Sequence, residues 1–332
     1  MVLRMFSWRE WRGLGLLSIA AAAALALLAA CGGGASQIVA FKPNRLIVLG
    51  DEVSVIVNDG ANNGKKYGVN GLNESSVRDC LLLPNWVQSV ASLYTFVFAE
   101  CNAAAATPKA FMRAKAGAKV EDATRGITAQ VAEQVAAGGA LTAKDLVTVL
   151  IGTNDLAEIA DRVQAGTLSA NDALTEVRRR GGVLAARINA ILATGAKVIV
   201  STTPDIGLSP YALALNAASP GAAARLSSWI YEYNASMRIG IDSSKYDGRD
   251  YGLVLADDIV QAIAKNPGSL AFANVTLAAC VVAQPNCTGA AADLVEAAAA
   301  STYLWASDRW LTPAAQTRIG ASAVSRAQNN PF

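Results

Sequence analysis

Residues 44–54 read NRLIVLGDEVS, and the fold class can be predicted from the apolar segment that they contain. It contains a short apolar run, residues 46–49, that is bounded by Asn44 and Gly50 and does not alternate with polar residues. Four further short apolar segments follow it, at residues 111–115, 146–151, 197–201 and 253–256. Continuous runs of this kind are typical of parallel strands that are buried on both faces.

Helical patterns fill the intervals between these segments. Apolar residues recur at helical spacing in residues 174–191, and Gly195 fits a C-terminal stop. Residues 124–135 and 226–237 show similar patterns, and a last helix is predicted from Pro313 to about residue 326, with Thr312 as its N-cap. Alternating strands and helices predict a three-layer α/β/α sandwich, in which ligands bind at the carboxyl ends of the strands.

The N-terminus has the pattern of a targeting segment. Three arginines within residues 4–12 precede an apolar stretch, residues 14–28, which is too short for a comfortable membrane span. The following Leu-Ala-Ala-Cys31 resembles the lipobox of bacterial lipoproteins, which implies cleavage before Cys31 and lipidation of that residue. An ordinary signal peptide and an uncleaved anchor are the alternatives.

These patterns predict a signal peptide at residues 1–30, a lipid-anchored tether at residues 31–40 and a single domain at residues 41–332. Glycine at position 32 suggests sorting to the outer membrane, so the membrane is the expected partner, through Cys31. A protein partner cannot be identified from the sequence.

The charge balance excludes one class of partner. Residues 1–30 hold three of the 28 basic and one of the 26 acidic residues, so 25 of each remain in the predicted mature chain. The densest basic run, residues 178–180, lies in a helical pattern and is interpreted as a solvated helix face. We therefore expect no nucleic-acid partner.

The remaining cysteines indicate disulfides. Besides Cys31 the chain has Cys80, Cys101, Cys280 and Cys287, and an even number in an exported protein suggests two bridges. Three pairings are possible, of which we favour the two that are local in sequence, Cys80–Cys101 and Cys280–Cys287. Metal binding and a cofactor are not expected, because the chain has no histidine and no closely spaced cysteine pair.

Three segments together suggest a family. They are LGDEVS at residues 49–54, IGTND at residues 151–155 and SDRWLTP at residues 307–313. In this order they resemble the motif blocks of the GDSL, or SGNH, hydrolases, and Gly117 takes the glycine position of another block. The resemblance implies a flavodoxin-like sheet of five strands and an esterase or lipase activity that uses a serine, a histidine and an aspartate.

The sequence departs from the family's pattern at two decisive positions. Glu52 stands where the family has its nucleophilic serine, and Leu311 stands where it has its histidine. The resemblance assigns the oxyanion donors to Gly117 and Asn154 and the triad acid to Asp308. A leucine cannot carry a proton and an anionic Glu52 would repel a developing oxyanion, so we expect this degenerate site to lack ordinary ester hydrolysis.

Glu52 permits two hypotheses. In the first, Arg309, Arg113 or Lys115 neutralises it, and the chain is a pseudoenzyme that binds a ligand or a partner. In the second, Glu52 and Asp308 are neighbours, so their like charges raise one pKa, and the pair hydrolyses ester or glycosidic bonds.

Several further residues receive provisional roles. Asn154, Gly117, Trp305, Trp310 and Arg309 are the candidates for binding a small molecule or a glycan, although the aromatic residues also fit core packing. Two aspartates have structural interpretations: the side chain at position 51 bonds backbone amides of its turn, and the one at position 155 caps a helix. The serine at position 54 is expected to point away from the cleft.

Overall fold

The computed structural model describes residues 40–329. All five predicted apolar segments form strands, and four short strands lie outside the main sheet. In chain order the strands are β1 Arg45–Gly50, β2 Ile56–Val57, β3 Lys65–Lys66, β4 Ala110–Met112, β5 Asp145–Leu150, β6 Lys197–Ser201, β7 Tyr251–Val254, β8 Asn274–Ala278 and β9 Tyr303–Trp305.

The predicted helices are also present. In chain order the helices are α1 Trp86–Leu93, α2 Ile127–Gly138, α3 Thr153–Gln164, α4 Ala170–Leu192, α5 Pro210–Ala218, α6 Ala222–Gly240, α7 Ala256–Lys265, α8 Ala299–Thr302 and α9 Pro313–Asn329. Short 3₁₀ turns occupy Ile206–Leu208, Gly268–Leu270 and Ala291–Asp293.

The main sheet has the strand order β4-β1-β5-β6-β7, and every neighbouring pair is parallel. This is the doubly wound, flavodoxin-like order, in which the chain reverses direction across the sheet after its second strand. The carboxyl ends of β1 and β5 therefore lie side by side, with Gly50 opposite Leu150. The fold prediction is confirmed.

Helices cover both faces of the sheet. α4 packs against α6, α3 and α2, whereas α9 packs against α1 and α7. Residues 46–49 of β1 and the apolar side chains of β5 are fully buried between these layers. Burial on both faces explains why the strand segments show continuous apolar runs instead of alternation.

The last helix begins as predicted, with Thr312 at the N-cap position, but the Thr312 hydroxyl bonds a strand carbonyl. The Thr312 hydroxyl donates to the carbonyl of Tyr303 at 2.5 Å, and the first helical hydrogen bond runs from the Gln316 amide to the Thr312 carbonyl at 3.0 Å. The threonine side chain thus ties the helix start to β9, a partner 9 residues away that helix-capping rules do not consider.

Both local disulfides are confirmed. The bridges are Cys80–Cys101, whose cysteines are 21 residues apart in sequence, and Cys280–Cys287, whose cysteines are 7 residues apart. The Cys280–Cys287 loop is held by Asn70, whose side-chain Nδ2 donates to the carbonyls of Pro285 and Cys287, each at 2.9 Å.

The interpretation of the basic run is wrong at its third position. Arg178 and Arg179 are exposed as expected, but Arg180 is buried and donates to Asp155 at 3.1 Å and to Glu176 at 2.8 Å. A buried guanidinium needs carboxylate partners, and the tertiary fold supplies one of them from α3.

The predicted signal peptide and Cys31 lie outside the described residues, so the proposed division of the chain stays a prediction. Within residues 40–329, we find no helix with the length and apolar character that a membrane crossing requires.

The turn after β1 provides a test of the fold. Gly50 has φ +149°, and a Cβ there would lie 2.1 Å from the Leu150 carbonyl oxygen. We expect Gly50→Ala to lower the free energy of unfolding by about 3 kcal/mol in urea titrations. The control is Gly182→Ala at an exposed position of α4, where a Cβ meets nothing within 4 Å. The control should raise the free energy of unfolding by about 0.5–1 kcal/mol. Equal effects of the two substitutions would contradict the close contact and the left-handed backbone described at Gly50.

Candidate functional site

The site is built on the turn that follows β1. The side chain of Gln130, from α2, accepts from the Gly50 amide at 2.7 Å and donates to the Gly50 carbonyl at 2.8 Å. Both backbone groups of the turn are therefore satisfied within the buried interior, which fixes the direction in which the next side chains leave the strand.

Asp51 links this turn to the neighbouring strand's loop. It is fully buried, and its carboxylate accepts from the amides of Val53 at 3.1 Å and Thr153 at 3.3 Å. The predicted bonds to backbone amides are thus present, and one of them reaches the start of α3. Burial raises the pKa of Asp51 well above its ordinary value, and the nearby charge of Glu52 raises it further.

The Glu52 carboxylate is held by two donors. Its Oε1 accepts from the backbone amide of Gly117 at 2.7 Å, and its Oε2 accepts from Asn154 Nδ2 at 2.7 Å. The side chain is 7% exposed. The structure therefore brings together three predicted site residues, and the carboxylate occupies both groups that the family resemblance assigns as oxyanion donors.

Local backbone geometry explains why the two donors converge. Gly117 has φ +72°, a conformation that few other residues adopt, so its amide is free to point at the carboxylate. Asn154 lies in the first turn of α3 after Gly152, where φ is +139° and a Cβ would lie 2.4 Å from Thr203 Oγ1. The Asn154 amide also donates to the Ala118 carbonyl at 3.1 Å, which fixes its orientation.

Two opposing influences act on the pKa of Glu52. Burial raises it, whereas the hydrogen bonds from Asn154 and Gly117 and the positive charge of Arg309 lower it. Burial is the largest influence, and the net pKa is raised.

The expected ion pair of Glu52 is not formed. Arg309 pairs with Asp308 at 2.9 Å, and both Arg113 and Lys115 pair with Glu133. Within residues 40–329, Glu52 makes no salt bridge, so hydrogen bonds and the more distant charge of Arg309 stabilise its ionised form.

The other two predicted site residues, Asp308 and Leu311, contact other parts of the structure. Asp308 is half-exposed and bonded to Arg309 and the Ser307 hydroxyl. Leu311 is buried in the core beside β9, and its carbonyl approaches Gly68. In the described part of the chain, no hydrogen bond or ion pair joins Glu52 to Asp308. The carboxylate that interacts electrostatically with Glu52 is that of Asp51, the preceding residue.

Burial contradicts the predicted ligand-binding role of the two tryptophans. Trp305 is fully buried and its indole nitrogen donates to the Val275 carbonyl at 3.0 Å, so it belongs to the core and cannot stack on a ligand. Trp310 is also buried, with its ring edge-on to Tyr67 and the Arg309 guanidinium 5.9 Å from its centre. It supports the arginine and does not line the cleft.

Two neighbouring residues are explained by packing. The buried hydroxyl of Ser54 accepts from Trp86 Nε1 at 3.1 Å, so it faces the core and not Glu52. The prediction that Asp155 caps a helix is wrong, because the N-cap of α3 is Gly152 and the Asp155 carboxylate instead accepts from the Val120 amide at 3.0 Å and from Arg180. This carboxylate ties the Gly117 loop to α3 and α4.

A cavity of about 500 Å³ opens beside the two donors. Gly117 and Asn154 line it, together with cationic and acidic side chains from three parts of the chain. The charged lining residues are Lys119, Arg125, Arg162, Arg309, Glu158 and Asp161. The sequence analysis missed all of these except Arg309, because their common position depends on how α3 packs against the loops.

A match to a family model confirms the family resemblance. The sequence model of the GDSL-like Lipase/Acylhydrolase family matches residues 83–277, which is more than half of the chain. No curated protein matches the sequence. Among solved structures, phospholipase A1 from Streptomyces albidoflavus NA297 is similar, with a TM-score of 0.43 and 14% identity over 86% of this chain and 99% of that one.

The raised pKa of Glu52 predicts a pH effect on stability. Between the ordinary glutamate pKa of about 4.3 and the raised folded value, the folded state binds more protons than the unfolded state, so stability falls as pH rises. Glu52→Gln cannot titrate, and we expect the variant to gain stability relative to the wild type across that window, in urea unfolding from about pH 4 to 8. Glu74→Gln, which removes an exposed carboxylate, is the control. A constant difference between Glu52→Gln and the wild type would contradict the prediction.

Proposed function

The chain belongs to the GDSL-like lipase/acylhydrolase family, and from that premise we propose that it is a member without ester hydrolase activity whose cleft binds a ligand. One observation carries the proposal: the Glu52 carboxylate already accepts from the Gly117 amide and from Asn154, each at 2.7 Å.

Catalysis of acyl transfer needs donors that are free when negative charge develops on the substrate oxygen. Donors that stabilise this oxyanion lie about 2.7–3.1 Å from it, and the loss of one costs about 10²–10³ in kcat. Here both donors hold a carboxylate oxygen, so a substrate oxygen would have to displace an anion. Glu52 thereby imitates the oxyanion instead of generating one.

The missing proton carrier supports the same conclusion. By the family's pattern, Leu311 stands at the histidine position, and the chain contains no histidine elsewhere. Ser54, the nearest hydroxyl along the chain, is engaged with Trp86 in the core. A site of this kind has neither an activated nucleophile nor a base to activate one.

A second candidate function is carboxylate-based hydrolysis. Its supporting observation is the raised pKa of Glu52, a property of general acids in glycoside-cleaving enzymes. Against it, the carboxyl oxygens of Glu52 are both engaged, and Asp308 is paired with Arg309.

We further propose that the protein is an exported lipoprotein of the bacterial envelope, anchored in the outer membrane through Cys31. The support is the sequence pattern of a basic segment, an apolar stretch and Leu-Ala-Ala-Cys31. The disulfides of the folded part are those of a protein that matures in an oxidising compartment.

Restoring the family's residues tests the first proposal. We expect no p-nitrophenyl acetate turnover and no serine-directed phosphonate labelling in the wild type, and measurable turnover in Glu52→Ser/Leu311→His but in neither single variant. The control adds Asn154→Ala to the double variant and should lose about 10²-fold of the gained activity, because one oxyanion donor is removed. Wild-type turnover that Glu52→Gln abolishes would instead support the carboxylate mechanism and overturn the proposal.

The anchor has a separate test. We expect the wild-type chain to sediment with membranes and to incorporate labelled palmitate, whereas Cys31→Ser should lose the label. Cys80→Ser/Cys101→Ser, which leaves Cys31 intact, is the matched control and should retain it. Labelling that persists in Cys31→Ser would disprove the assignment.

A further inference from the structure

We propose that the ligand of this cleft carries an anionic oxygen group, a phosphate or a carboxylate, and that Arg162 binds it with help from Arg309. The inference rests on the proposed ligand-binding function and names the chemical class of the ligand. The argument depends on which charges around the cavity are already compensated.

Three of the four cations that line the cavity have carboxylate partners. Lys119 pairs with Glu158 at 2.6 Å, and Arg125 pairs with Asp122 at 2.8 Å. Arg309 pairs with its neighbour Asp308. These pairs satisfy the positive charge at each of the three positions.

Arg162 differs from these three cations. It lies half-buried in the last turn of α3 and lines the cavity, and within residues 40–329 its guanidinium makes no hydrogen bond or ion pair. A guanidinium carries five N–H donors and cannot lose its charge, so a ligand with oxygen acceptors has an unopposed binding group there.

The acids of the cavity do not compensate Arg162. Asp161 accepts from the Tyr211 hydroxyl at 2.6 Å, and Glu158 accepts from both Lys119 and Arg180. Neither carboxylate is bonded to Arg162, so the N–H donors of its guanidinium remain available to a ligand.

Arg309 is held rigidly at the same cavity. Its guanidinium lies 4.6 Å from the centre of the Tyr211 ring, and its Nε and Nη2 face Asp308. In the described structure Nη1 makes no hydrogen bond, so this edge can donate to a ligand. Stacking on an aromatic ring orients the guanidinium in advance and reduces the entropy lost on binding.

The chemistry of the two arginines defines the ligand class. Planar guanidinium groups bind carboxylate and phosphate oxygens in parallel pairs of hydrogen bonds. The cavity of about 500 Å³ is wide open to solvent, so it can admit a small anion or a lipid headgroup. A soluble anion and the headgroup of an anionic lipid share this chemistry, and they can be separated experimentally.

Calorimetric titration of the full chain in neutral detergent tests the proposal. The probes are inorganic phosphate, sodium acetate and monomeric dihexanoylphosphatidylglycerol. We expect at least one probe to bind the wild type and Arg162→Gln to weaken that binding about tenfold or more. Dependence on Arg162 for phosphate or acetate identifies a soluble anion, and dependence for the short-chain lipid alone identifies a headgroup.

Arg238→Gln is the matched control, because Arg238 is also half-buried in the last turn of a helix, without a hydrogen bond or ion pair in residues 40–329, and lies outside the cavity. This variant should bind as the wild type does. The proposal is overturned if no probe binds, or if Arg162→Gln binds as tightly as Arg238→Gln. Ester turnover is measured separately, so a failure of anion binding and a failure of the non-hydrolytic assignment give different results.

Discussion

The pair of hydrogen bonds that holds the Glu52 carboxylate is the constraint on which the site depends. A nearly buried carboxylate is costly unless its oxygens find donors, and the Gly117 amide and the Asn154 side chain supply them at 2.7 Å. The same donors are what a hydrolase of this fold needs for its transition state. Under the proposed function, the carboxylate and a substrate oxyanion would compete for the same two donors.

The donors can converge only because the backbone around them is unusual. Gly50 and Gly152 follow adjacent parallel strands and both have positive φ values at which a Cβ would overlap neighbouring atoms. Asp51 then bonds the Thr153 amide and joins the two loops across the sheet edge. By the family resemblance, Glu52 stands at the nucleophile position of this scaffold. The proposed binding function would need only the orientation of the cleft, which the fold supplies.

The electrostatic character of the cleft depends on how its charged side chains pair with one another, more than on the charge composition of the chain. The predicted mature chain has equal numbers of basic and acidic residues, so no net charge points to a ligand. Most charged groups at the cleft are arranged in pairs, such as Lys119 with Glu158, and the unopposed guanidinium of Arg162 stands out only after these pairs are assigned. Arg180 shows the reverse case, because this residue of a basic run is paired with the buried carboxylate of Asp155 and the partly exposed carboxylate of Glu176.

The parallel, helix-covered sheet and the family could be predicted from the sequence, because continuous apolar runs, helical periodicity and motif order are local properties of the chain. For the cysteines the sequence left three pairings open, and the structure has the one that is local in sequence. The sequence also indicated that Glu52, Gly117 and Asn154 belong to one site, since the ends of parallel strands meet at one edge. It did not determine the partner of Glu52, the burial of Trp305 or the free guanidinium of Arg162. Those depend on which side chains from distant segments meet after packing, and only the tertiary structure decided them, because hydrogen-bond and ion-pair partners are chosen by distances of a few ångströms that no sequence spacing encodes.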